Sequence, residues 1–206
     1  MKTFHFLLIL SIVTIFMGCE EDDFTFNNND RRITGSGEIR SKSLVVNDFL
    51  AIDLENVSNV YVETGVSRKV VFTAYENILP YMDADVIGDE LILRFNEDIS
   101  VNSDEEIRVD ITVPELEKVT LSGVGNFILT GPQQYKLEVE LNGVGNVEAF
   151  DLKALNGIIN IDGTGNVEID AKEHLSVDID GMGNVYYKGN PELSVDINGL
   201  GEVVKD

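Results

Sequence analysis

The chain has 206 residues, 37 acidic against 15 basic, a formal net charge of −22 and a pI near 4.2. That length bounds it to one domain, and so anionic a surface excludes a nucleic acid backbone as partner. One cysteine and two histidines leave no disulfide framework and scarcely a ligand for zinc.

The first segment reads as an export signal. Lys2 supplies positive charge, and Phe4 to Met17 is largely apolar, the length of a signal h-region and short for a bilayer span. The stretch Ile15-Phe16-Met17-Gly18-Cys19 resembles the lipobox of bacterial lipoproteins, with Phe16 and Met17 departing from the usual residues. On this reading residues 1–18 are a signal peptide and Cys19 is the acylated N-terminus, a membrane anchor. The alternative is a cysteine incidental to a cleaved or membrane-spanning segment. The run Glu20-Glu21-Asp22-Asp23 resembles the signal that sends Bacteroidota-type lipoproteins to the outer face of the outer membrane; its plainer reading is a solvated linker. Residues 19–32, with Asn27-Asn28-Asn29-Asp30, read as a flexible tether.

The folded part is expected from Ile33 to Asp206. Ile33-Thr34-Gly35-Ser36-Gly37-Glu38-Ile39 is a first copy of a template that returns later. Leu54-Glu55-Asn56-Val57-Ser58-Asn59-Val60 fits it with Asn and Ser in place of both glycines. The 67 residues from Asn56 to Gly123 leave room for about three more coils of the repeat length. Strands are expected at 70–74, 83–86, 91–95 and 107–113, with turns at Asn77–Tyr81 and Gly88-Asp89. Two arrangements stay open for residues 65–114: further coils, or a separate sheet, which would split the domain into 33–117 and 118–206.

The repeat then becomes explicit. Gly123-Val124-Gly125-Asn126, Gly143-Val144-Gly145-Asn146, Gly163-Thr164-Gly165-Asn166, Gly181-Met182-Gly183-Asn184 and Gly199-Leu200-Gly201-Glu202 follow at steps of 20, 20, 18 and 18 residues. Around each, apolar and polar residues alternate, as Val177 and Ile179 do with Asp178 and Asp180. Period two means strand, and a fixed period near twenty residues means stacked repeats. The expected fold is all-β, a parallel β-helix or β-solenoid with coils of about 18–21 residues and little helix. Stacked copies of Asn126, Asn146, Asn166 and Asn184 would form an amide ladder; a ligand role is the other reading. The glycine pair is no dinucleotide fingerprint, since the third glycine and the helix are missing.

At this point Gly35-Ser36-Gly37, Val60-Tyr61-Val62-Glu63, Glu76-Asn77-Ile78-Leu79-Pro80-Tyr81, Leu91-Ile92-Leu93-Arg94-Phe95 and the repeated Gly-x-Gly-Asn together resemble the putative autotransporter adhesin, head-GIN-domain family. The resemblance covers about Ile33 to the C-terminus. It implies a right-handed β-helix-like fold and an exported protein, and brings no catalytic motif.

Ordinary hydrolytic chemistry has little to work with. His174 stands alone in an expected loop, and Ser176 or Ser194 near it does not make a triad. Oxygen ligands are abundant. Stacking would align one outward column of Glu140, Asn160, Asp178 and Asp196 and another of Asn142, Asp162, Asp180 and Asn198. Asp162, Asp178, Asp180 and Asp196 form a candidate ligand face that Ca²⁺ would suit, although the spacing matches neither an EF-hand nor the nonapeptide repeat. The plainer reading is a solvated acidic face. A glycosidase would need a carboxylate pair about 5–10 Å apart and an aromatic cleft. The chain has no Trp, and Tyr61, Tyr75, Tyr81 and Tyr135 are scattered, while the adjacent Tyr186 and Tyr187 point to opposite faces. The expected function is a non-catalytic surface lipoprotein that binds a glycan or an envelope protein. The alternative is an assembly component of the envelope. The last coil, ending Gly201-Glu202-Val203-Val204-Lys205-Asp206, lacks an obvious cap and is expected to support homodimerisation.

Overall fold

The computed structural model describes residues 31–206. In chain order the strands are β1 (Arg31–Thr34), β2 (Ile39–Leu44), β3 (Ala51–Leu54), β4 (Val57–Thr64), β5 (Lys69–Tyr75), β6 (Met82–Ile87), β7 (Glu90–Phe95) and β8 (Ile99–Asn102). They continue as β9 (Arg108–Val113), β10 (Lys118–Leu121), β11 (Val124–Leu141), β12 (Val144–Ile161), β13 (Val167–Ile179), β14 (Val185–Lys188), β15 (Glu192–Ile197) and β16 (Val203–Lys205). One 3-10 turn, Leu79–Tyr81, is the sole helical element among the described residues. The all-β expectation holds, for the reason the sequence gives: Val109, Ile111 and Val113 of β9 are buried while Arg108, Asp110 and Thr112 between them are not. The expected signal peptide, the Cys19 anchor, the acidic run and the tether to Asp30 lie outside the described residues. Arg31 and Arg32, assigned to the tether, instead belong to β1, which pairs with β8.

The repeat stacks in parallel. Val124, Gly125 and Asn126 pair with Val144, Gly145 and Asn146, and Glu138 to Leu141 pair with Ile158 to Ile161. Strands β11 and β12 each run through two faces: the first half of β11 pairs with β4, its last four residues with β10. Bends near Gly131, whose φ is +134°, turn it from one face to the other. The sheet therefore wraps round on itself and nearly closes, with Phe127, Leu137, Val139, Leu141, Val147 and Ile161 buried inside.

The wholly parallel expectation is corrected, because the sheet is mixed. β2 with β5, β5 with β9, and β6 with β7 pair antiparallel. Only two residues, Gly88 and Asp89, join β6 to β7, and a connection that short can link only antiparallel neighbours. Of the two arrangements left open for residues 65–114, neither describes the interval fully, because its strands join the same sheet in mixed directions. Val57 to Glu63 pair directly with Val124 to Thr130. Residues 65–117 leave and return on the other side of β3 and β4, placing β7 on β3 and β9 on β4. The coil β3–β4 thus sits between two coils that follow it in sequence.

Candidate functional site

The glycine corners come first, because they position everything outside them. A β-carbon on Gly125, Gly145, Gly165, Gly183 or Gly201 would strike the carbonyl oxygen of Ser58, Gly125, Gly145, Gly165 or Gly183 respectively in the neighbouring coil. Gly123, Gly143, Gly163, Gly181 and Gly199 are blocked in the same way. Beside them runs the asparagine ladder. The Oδ1 atoms of Asn59, Asn126, Asn146, Asn166 and Asn184 each accept the backbone N–H of the next rung at 3.0–3.1 Å, the last donor being Glu202. The amides of Asn126, Asn146 and Asn166 also donate Nδ2–H to the rung before at 2.9, 3.1 and 3.4 Å. Asn59 closes the ladder by donating to Glu106 Oε1 at 2.9 Å, an oxygen that Tyr61 Oη also reaches at 2.9 Å. These side chains are committed to holding coils together.

The acidic columns lie outside the corner. Glu140, Asn160, Asp178 and Asp196 are consecutive partners across β11, β12, β13 and β15. In the second column Asn198 Nδ2 donates to Asp180 Oδ1 at 3.1 Å. The face is divided electrostatically. At one end Lys118 Nζ lies 2.9 Å from Glu140, and Lys136 Nζ lies 2.6 Å from Glu138; that hydrogen bond holds the Glu138 carboxyl below its ordinary range. At the other end no salt bridge among the described residues reaches Asp162, Asp178, Asp180 or Asp196. Partial loss of hydration and repulsion from Asp180, Asp196 and Asp162 raise the pKa of Asp178. Among the described residues no group of three or more His, Cys, Asp and Glu side chains converges to hold a metal ion, so the calcium expectation gains no geometric support.

His174 lies within β13, not in the loop expected for it. Its ring is exposed, with Nδ1 3.5 Å from Glu192 Oε2. Ser176 and Ser194 sit side by side on the neighbouring row, and neither is hydrogen-bonded to His174.

One patch escapes sequence reasoning. Glu148, Glu168 and Tyr186 form an outward row across β12, β13 and β14. Burial and the neighbouring Glu148 push the Glu168 carboxyl up. The Lys188 ammonium lies 3.7 Å from the centre of the Phe150 ring, a cation–π contact. Together Glu148, Phe150, Glu168 and Lys188 line a shallow cleft of about 240 Å³. Its members lie up to forty residues apart, and only the coil-to-coil register brings them together.

A family model described as "Putative auto-transporter adhesin, head GIN domain" matches residues 48–140 and 133–191. No curated protein matches the chain. Among solved structures, a putative adhesin from Bacteroides fragilis aligns with TM-score 0.53 and 19% identity, over 84% of this chain and 100% of that one. A putative adhesin from Parabacteroides merdae aligns with TM-score 0.47 and 19% identity, over 85% and 99%. A putative lipid binding protein from Parabacteroides distasonis aligns with TM-score 0.44 and 19% identity, over 85% and 100%.

Proposed function

The chain belongs to the family described as "Putative auto-transporter adhesin, head GIN domain", and from that premise we propose that it is a non-enzymatic binding module exposed at the cell surface. The observation that carries this reading is the cluster of Asp162, Asp178, Asp180 and Asp196, exposed on an open sheet face with no cation paired to it among the described residues. A carboxylate raised by lost hydration and by like-charged neighbours is relieved by hydrogen-bond donors or positive charge. A hydroxyl-rich glycan supplies the first, a basic patch on an envelope protein the second. The strand repeat of about 4.8 Å presents these groups at regular intervals, which suits a polymeric partner. On this reading residues 118–206 are β-solenoid coils that carry the binding face. Cys19 is the lipid anchor, its two acyl chains giving stable attachment to the outer membrane.

The test is a glycan array probed with and without millimolar calcium. Saturable binding to one glycan class, lost in the double variant Asp178→Asn, Asp180→Asn, supports the reading. Binding that survives the double variant moves the site elsewhere, and silence in both conditions shifts the partner to a protein. The anchor has its own test: Cys19→Ser should move the protein out of the membrane fraction.

A further inference from the structure

The two ends of the stack differ. At one, the turn Leu79–Tyr81 crosses from β5 to β6, and Ile78, Leu79 and Met82 are buried beneath it. At the other, no such turn covers the coil made by β15 and β16 among the described residues. Leu193, Val195 and Ile197 pair with Leu175, Val177 and Ile179. The inner three are at most 2% exposed, whereas the outer three are 43%, 42% and 38% exposed. Among the described residues β15 pairs only with β13 and β16 only with β14, so each leaves its outer backbone edge without a strand.

We propose that this open end is a self-association surface, on which a second copy docks end to end with β15 antiparallel to the partner's β15 about a two-fold axis. A bare strand edge is satisfied by the N–H and C=O groups of another strand, which selects a polypeptide over a glycan. The apolar rim offered there is the same one that β15 already covers on β13. The opposite end also leaves bare outer edges, on β2 and β6, but the isologous pair sets the exposed rim of Leu193, Val195 and Ile197 against itself and closes the assembly at two copies.

Charge fixes the register. With the axis at Val195, Leu193 meets the partner's Ile197, Ser194 meets the partner's Asp196, and Glu192 meets the partner's Asn198. No two carboxylates oppose each other. Moving the axis to Ser194 would set Glu192 against the partner's Asp196, and directly facing like charges destabilise a ladder.

Size decides the strength. Six residues of β15 beside a second layer give an end of roughly 20 by 20 Å, hence about 800 Å² buried in total. Interfaces of that size are weak and transient. Sedimentation of the chain should therefore show a monomer–dimer equilibrium between about 10 μM and 1 mM. Val195→Lys should weaken association at least about tenfold by burying an unpaired charge, with an unchanged circular dichroism spectrum. In a Cys19→Ser background, Val195→Cys should oxidise to a disulfide dimer, since facing residues lie about 4.5–5.5 Å apart. Val45→Cys, fully exposed elsewhere, should not. A chain that stays monomeric to 1 mM overturns the proposal and leaves the edge to a strand of a different protein. So does a dimer that Val195→Lys leaves intact, or one in which Val195→Cys crosslinks no faster than Val45→Cys. None of these outcomes depends on what the acidic face binds.

Discussion

The carbonyl oxygen of Gly145 occupies the space that a β-carbon on Gly165 would need. Gly165 also has φ +152°, a conformation that side-chain-bearing residues rarely adopt. Gly165→Ala must therefore push two coils apart as well as strain the backbone, and should cost about 2–4 kcal/mol. Gly65→Ala is the control. A β-carbon there meets only Thr112 Cγ2, at 3.7 Å, and the change should stay within about 0.5 kcal/mol of neutral. Urea midpoints of the two variants decide; equal losses would show that close coil contact is not what the glycines serve.

The asparagine ladder predicts a gradient along the stack. Asn146 Oδ1 accepts from both the backbone N–H and the Nδ2–H of Asn166. Asn146→Ala leaves a part-buried N–H without its acceptor and should cost about 1–3 kcal/mol. Among the described residues Asn184 Oδ1 accepts only the N–H of Glu202, at the exposed end. Its alanine variant should cost less than about 1 kcal/mol, since water can replace the bond. Hydrogen exchange at the amides of Asn166 and Glu202 reads the same difference directly.

Two carboxylates should report pH with opposite signs. The pKa of Asp178 is raised above its ordinary value of 3.8 by lost hydration and its acidic neighbours. The folded chain then keeps a proton that the unfolded chain has released, so this group's share of stability falls as pH rises from 3.8 through the raised value. Asp178→Asn should raise the urea midpoint at pH 7 and not at pH 3. Glu138 is lowered below 4.5 by the Lys136 hydrogen bond. Its contribution is present above that value and lost as pH falls through the lowered one. Glu138→Gln should lower the midpoint at pH 7 and leave it unchanged in strong acid. Shifts of one sign for both variants at pH 7 would contradict this division of the face.

Leu175 and Leu193 face each other across β13 and β15, yet one is 1% and the other 43% exposed. Leu175→Ala should cost about 2–5 kcal/mol, the range for a buried leucine that leaves a cavity. Leu193→Ala, measured at low protein concentration, should cost about 1 kcal/mol. A comparable loss at both positions would mean that the end is covered even in the monomer.

The sequence alone determined the stacking of residues 118–206. A glycine pair that recurs every 18–20 residues between alternating strands fixes which residues become neighbours, because only one register nests every corner on the last. From that register followed the asparagine ladder and the row Glu140, Asn160, Asp178, Asp196. The plan of residues 51–117 was set by the tertiary structure. β3 and β4 pair with β10 and β11 across 67 residues of sequence, and the hydrophobic pattern of a strand records which side is buried, never which strand lies beside it. Strand direction was hidden for the same reason, since alternation reads the same for the antiparallel β5 and β6 as for a parallel coil. Charge pairing was hidden too: Lys118 and Lys136 neutralise one end of the acidic face, and Lys188 covers Phe150, through contacts that exist only once the coils are stacked. Periodicity is a local property that the chain states outright; the order of the coils and the coverage of their ends depend on packing between distant segments, and only the folded structure decides those.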